Sequence, residues 1–112
     1  MIQAKICRNS SGRIQSFTIS GHALYADRGN DIVCAGVSAV SFGAINSLIA
    51  LTGVEPEIEQ GEDGFLRCTL PDGLEEDVQK KVQLLLEGMV VSLETIERDY
   101  GDHLKITFTN RG

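Results

Sequence analysis

Two side chains in this 112-residue sequence have the chemistry of a nucleophile and its base, and they stand close together: Cys34 and His22. Cys34 follows Asp31 at the head of an uncharged run, Ile32 to Thr52. An aspartate there reads as a helix N-cap, which puts Cys34 in the first turn, where backbone N–H groups lack intrahelical partners and the dipole favours an anion. A thiol of ordinary acidity is only about 3% thiolate at neutral pH. A helix terminus adds about 0.3–1 kcal/mol in favour of the anion, too little to make a working nucleophile. A cationic partner is required, and His22, at the end of the expected second strand, is the candidate. A thiolate–imidazolium pair attacks carbonyls, and the free helix N–H groups would then receive the oxyanion. The competing reading is a buried cysteine beside a capping histidine.

Two neighbours stand to support such a site. Asp31 either caps the helix alone or also orients His22, although a carboxylate close to Cys34 opposes thiolate formation. Ser38 lies four residues after Cys34, on the same helical face, and bonds either the site or its own helix backbone. The remaining thiols read as structural: Cys7 as packed or partly exposed at a hairpin end, Cys68 as core. His103, bordering the final strand with no partner motif, reads as a surface or capping histidine. No Cys/His cluster suggests a metal, and no cofactor is expected.

The elements that must position these groups follow from periodicity. Ile2, Ala4 and Ile6 alternate with polar residues, and Arg13 to Ser20 resumes extended character after the turn Asn9-Ser10-Ser11-Gly12, so the two runs form a hairpin. Residues 32–52 form the first helix, stopped by Gly53. Its uncharged surface must be covered on more than one side, between layers or between the sheet and a second subunit. Its length raises a membrane span, which the polar Ser38, Ser41, Asn46 and Ser47 and the absence of flanking cationic clusters argue against. Val54 to Gln60 and Phe65 to Leu70 form a second hairpin across Gly61-Glu62-Asp63-Gly64. Leu74, Val78, Val82, Leu85, Met89, Val90, Leu93 and Ile96 recur at helical spacing over about 74–98, and Leu104, Ile106 and Phe108 alternate as a last strand. The expectation is an α+β fold: a single two-layer domain, residues 1–112, in the order ββαββαβ, with two helices packed on a sheet built from two hairpins and a C-terminal strand. Sheet order is not readable from this pattern.

Composition narrows the function. A formal net charge of −6 without a basic cluster excludes nonspecific nucleic-acid binding as the expected role and suits a cationic protein partner. The N-terminal MIQAKICR has no apolar core of signal-peptide length, and three cysteines cannot all pair within one chain, so a reducing cytoplasm is expected.

The motif Gly21-His22-Ala23, then Gly29, Asp31-Ile32-Val33-Cys34-Ala35 and Val37-Ser38-Ala39 resembles the signature of the ribosomal-processing cysteine proteases, the Prp or YsxB-like family, and the resemblance extends over the whole chain in length and element order. Gly36 stands where that family often has alanine. The resemblance implies a cytoplasmic homodimer that removes a short N-terminal extension from a large-subunit ribosomal protein. It puts the catalytic dyad on His22 and Cys34. It makes the segment between them, Ala23, Leu24, Tyr25, Ala26, Asp27, Arg28, Gly29 and Asn30, a mobile loop gating the peptide substrate. Two alternatives use the same pocket: a non-catalytic ribosome-associated or assembly-binding protein, and a thioesterase.

Overall fold

The alternating N-terminal run forms strand β1 (Ile2–Arg8) in the computed structural model, which describes residues 1–27, 29–62 and 64–110. It is followed by β2 (Ile14–Ser20), α1 (Ile32–Thr52), β3 (Glu57–Gln60), β4 (Leu66–Thr69), α2 (Glu76–Tyr100) and β5 (Leu104–Asn110). The five strands form one mixed sheet in the order β3-β4-β2-β1-β5. The two hairpins are antiparallel, and β5 joins β1 in parallel with Ile2 opposite Leu104. The α+β architecture and the order ββαββαβ are those expected from sequence.

Register explains the core. Leu66, Ile19, Ala4 and Ile106 lie opposite one another across four strands, and Cys68, Phe17 and Ile6 form the next row. These seven side chains are buried beneath the helices. The intervening residues Lys5, Thr18, Arg67 and Lys105 belong to the other, wetter face. From above, α1 contributes Val33, Val37, Ala44, Ile45 and Leu48, and α2 contributes Val82, Leu86, Met89, Val90 and Leu93. Burial of each leucine is worth about 1.5–3 kcal/mol. Two side chains of α2 also bond the sheet backbone: Gln83 accepts from Ile14 N–H and donates to its carbonyl, and Glu97 accepts from Ile106 N–H at 2.8 Å.

The boundaries shift for local reasons. α2 starts at Glu76 rather than 74 because Glu75 is extended (φ −58°, ψ 149°), and it runs on to Tyr100, whose ring packs against the core. β3 is shorter than expected because Pro56 has no N–H to give the ladder. Gly53 ends α1 in the left-handed region, φ 75°, as the sequence suggests. A methyl group on Gly36 would meet Ile96 Cδ1 at 3.6 Å, an ordinary contact, so the alanine common in the family would also fit.

Of the two covers expected for the α1 surface, the fold leaves only the second subunit. α1 is not sandwiched between layers of its own chain: its buried residues form one stripe, while Ile32, Phe42, Ile49 and Leu51 are exposed, Leu51 to 69%. The fold has only two layers, and among the described residues nothing covers that outer face.

Candidate active site

The strand order brings one end of the sheet together. β2 leaves the sheet at Ser20, opposite Gln3, and β5 enters it at Leu104, opposite Ile2. The exit of β2 and the entry of β5 therefore flank the beginning of β1. Gly21, at φ 85°, turns the chain across the first residue: a Cβ there would lie 2.5 Å from the carbonyl oxygen of Met1. Gly64, at φ 71° in the β3–β4 turn, packs against the other side, where a Cβ would lie 2.6 Å from the Gly21 carbonyl oxygen and 3.7 Å from Cε1 of His22. Two glycines thus let three backbone segments approach closely enough to direct His22 out of the sheet.

His22 and Cys34 line the same cleft, of about 500 Å³, together with Leu24, Ala26, Gly29, Asp31, Ala35 and Ser38. His22 is exposed and Cys34 half-buried. The peptide N–H of Ala23 donates to Cys34 Sγ at 3.3 Å. A smaller cleft shares Ser38 and continues between α1 and the second hairpin, walled by Val37, Phe42, Phe65 and Leu66.

Asp31 caps α1 and does more. Its Oδ1 accepts the N–H groups of Val33 and Cys34 at 3.0 Å each, and its Oδ2 accepts those of Tyr25 and Ala26 at 3.0 and 3.3 Å. One carboxylate therefore ties the loop to the helix that carries the thiol. Desolvation is the largest single influence on its acidity and pushes the pKa up. The four N–H bonds, from Cys34, Tyr25, Ala26 and Val33, together outweigh it and hold the group below the ordinary carboxylate range. A group whose folded pKa lies below its unfolded value stabilises the fold above the unfolded value and ceases to do so as pH falls through the folded one. The amide signals of Tyr25, Val33 and Cys34 should therefore move together on acidification, with a common midpoint below that of an unperturbed aspartate, about pH 4. In an NMR acid titration, a common step above pH 4 would contradict this.

The same capping corrects an expectation about the oxyanion. Val33 and Cys34 N–H are not free to receive it, because Asp31 Oδ1 already occupies both, and Ala35 N–H bonds the Asp31 carbonyl. The donor placed at the sulfur is Ala23 N–H, from the loop.

The loop is held unevenly. Ala23 is buried, with its N–H on Sγ and its carbonyl oxygen 2.8 Å from His103 Nδ1, whereas Leu24, at φ 57°, is 78% exposed. Arg28 lies outside the described residues. His103 was not readable as part of this region, since only the parallel pairing of β5 with β1 brings it there. Cys68 is core, with burial pushing its thiol up to about 11, and Cys7 is half-buried and free. Among the described residues no group of three or more His, Cys, Asp or Glu side chains could hold a metal ion.

A two-layer α+β domain that opens a free thiol at a helix start into a cleft shared with an imidazole has the design of a thiol hydrolase. The comparisons with known proteins agree. The family model for cysteine protease Prp matches residues 1–105. The ribosomal processing cysteine protease Prp of Bacillus subtilis is 53% identical over 108 residues, which cover 96% of each chain. The crystal structure of Prp from S. aureus with a covalently linked product peptide superposes with a TM-score of 0.88 at 35% identity, covering 97% of this chain and all of the other. The same enzyme with a substrate peptide gives 0.83 at 34% identity and the same coverage. The chain belongs to the Prp family of cysteine proteases.

Proposed function

We propose that this protease removes a short N-terminal extension from a large-subunit ribosomal protein, with Cys34 as nucleophile and His22 as general base and then acid. The observation that carries this reading is the Cys34 sulfur, bonded by Ala23 N–H and opening into the cleft that His22 also lines. His22 takes the thiol proton, and the thiolate adds to the scissile carbonyl carbon. The C–N bond breaks as the imidazolium protonates the leaving amine, which leaves an acyl thioester on Cys34. Water, deprotonated by His22, attacks the thioester and returns the thiol and a carboxylate product. Asp31 holds the loop to the helix, and Ser38 lines the floor one turn beyond Cys34, where the cleft continues towards Phe42 and Phe65 as a path for the peptide. Of the gating segment Ala23 to Asn30, Ala23 is buried and fixed, and the remainder gates entry.

The acidic net charge favours encounter with a cationic ribosomal substrate in the cytoplasm. A second copy covers the open face of α1, where Ile32, Phe42, Ile49 and Leu51 are exposed. Sedimentation as a monomer at micromolar concentration would rule that dimer out. The central experiment is incubation with a peptide bearing the ribosomal extension. Cleavage by the wild type and none by Cys34→Ala is expected; binding without cleavage, or hydrolysis of acyl thioesters only, would overturn the assignment.

A further inference from the structure

We propose that His103 is a positioning residue for the nucleophile: it anchors the carbonyl end of Ala23 and, through that residue's own backbone, keeps the Ala23 N–H on the Cys34 sulfur. This rests on the reading of Cys34 as nucleophile given above. Three observations carry it. First, His103 Nδ1 lies 2.8 Å from the Ala23 carbonyl oxygen. A carbonyl oxygen only accepts, so Nδ1 is the protonated nitrogen and donates. Second, the histidine is itself fixed at both backbone ends, its N–H on the Tyr100 carbonyl at 2.8 Å and its own carbonyl receiving Ile2 N–H at 2.9 Å. The imidazole thus projects from a rigid junction between α2, β1 and β5. Third, the Tyr25 ring packs edge-on against both His103 and Tyr100, with centroids 5.3 and 5.5 Å away, while Tyr25 N–H bonds Asp31.

The consequence is a short chain of contacts from the sheet to the sulfur: His103, the Ala23 carbonyl, the Ala23 N–H and Cys34 Sγ. An N–H directed at sulfur favours the thiolate over the thiol, because a donor stabilises the charged acceptor more than the neutral one. Ala23 cannot supply that orientation by itself. Its neighbour Leu24 occupies the left-handed region at φ 57°, and its 78% exposed side chain does little to fix Ala23. Asp31 restrains the loop further on, at Tyr25 and Ala26. Ala23 is therefore held at its carbonyl end by His103, while Asp31 holds the loop further on.

Two substitutions separate the hydrogen bond from the ring packing. His103→Phe keeps an aromatic ring for Tyr25 and removes the donor, whereas His103→Asn restores a donor and removes the ring. For His103→Phe we expect Cys34 alkylation at pH 7 to slow by about five- to tenfold, the scale of one lost hydrogen bond, with the difference closing at a pH high enough to ionise any thiol. Peptide cleavage should lose a similar factor in kcat with KM within about twofold. His103→Asn should recover most of both losses although it also lacks the ring. Wild-type alkylation in His103→Phe at pH 7, a slowing that persists at high pH, or equal impairment of the two variants at matched thermal stability would overturn the proposal. Alkylation needs no substrate, so it reads the contact to sulfur even if the ribosomal peptide proves wrong, while cleavage that survived Cys34→Ala would defeat the nucleophile reading instead.

Discussion

Cys34→Ala is expected to yield a folded protein that still binds the ribosomal extension peptide and no longer cuts it. Removing the nucleophile of a hydrolase costs on the order of 10⁶-fold in kcat, because base, cleft and donors act as a unit on a bond that no longer forms. The fold should barely notice. Cys34 is half-buried at the helix start, where its bond to Ala23 is an N–H to sulfur, while the cap on α1 is made by Asp31 and stays in place. A loss of about 1 kcal/mol or less corresponds to a melting shift under about 8 °C in a domain of this size. The measurement is single-turnover cleavage alongside peptide affinity and thermal unfolding. Residual cleavage within a hundredfold of wild type would show that another group attacks the peptide. Unfolding of the variant would show that the thiol holds the structure together instead.

Gly64→Ala should inactivate the enzyme from a position far along the chain. The residue occupies the left-handed region at φ 71°, where a side chain costs about 1–2 kcal/mol. Its new methyl group would also stand 2.6 Å from the Gly21 carbonyl oxygen, closer than real Cβ atoms approach. The obstruction is backbone and cannot rotate away. Gly21 cannot retreat either, because it already lies against Met1 at a distance that excludes a Cβ. The hairpin tip or the Gly21–His22 turn must therefore move, and a misplacement of about 1 Å at a catalytic group costs roughly 10²-fold in rate. Gly12→Ala is the control. It has a similar φ of 81° with nothing within 4 Å, so it should lose about the same conformational energy and keep its kcat. Equal kinetics in the two variants would mean that the close approach at Gly64 does not direct His22.

These two predictions differ in how far the sequence alone could have reached them. The Cys34 result was legible: Asp31 before an uncharged run marks the helix start, and the GHA and DIVCA motifs single out the pair. The Gly64 result was not. In sequence Gly64 is a turn residue of the second hairpin, and nothing in its type says that the turn folds against Gly21. His103 has the same history. Its local pattern is that of a strand border, and its contact with Ala23 depends on a parallel pairing between the first and last strands.

The elements were readable because each rests on short-range physics. Alternating Ile and Phe positions define β1, β2 and β5, a three-to-four spacing defines α2, and Asp31 and Gly53 bracket α1 at the residues observed. By itself, then, the sequence determined which segments are strands and helices, where α1 begins, and which thiol and imidazole could work together. Tertiary structure decided the order β3-β4-β2-β1-β5, and with it that Met1 and Gly64 meet at Gly21 and that His103 meets Ala23. It also decided that Asp31 fills both helix N–H groups, so that the donor at the sulfur comes from the loop. The physical reason is the range of the forces. Periodicity and capping act within a few residues, whereas strand order is set by which apolar rows bury best across the whole sheet, and it is strand order that brings distant backbone groups towards the Cys34 thiol.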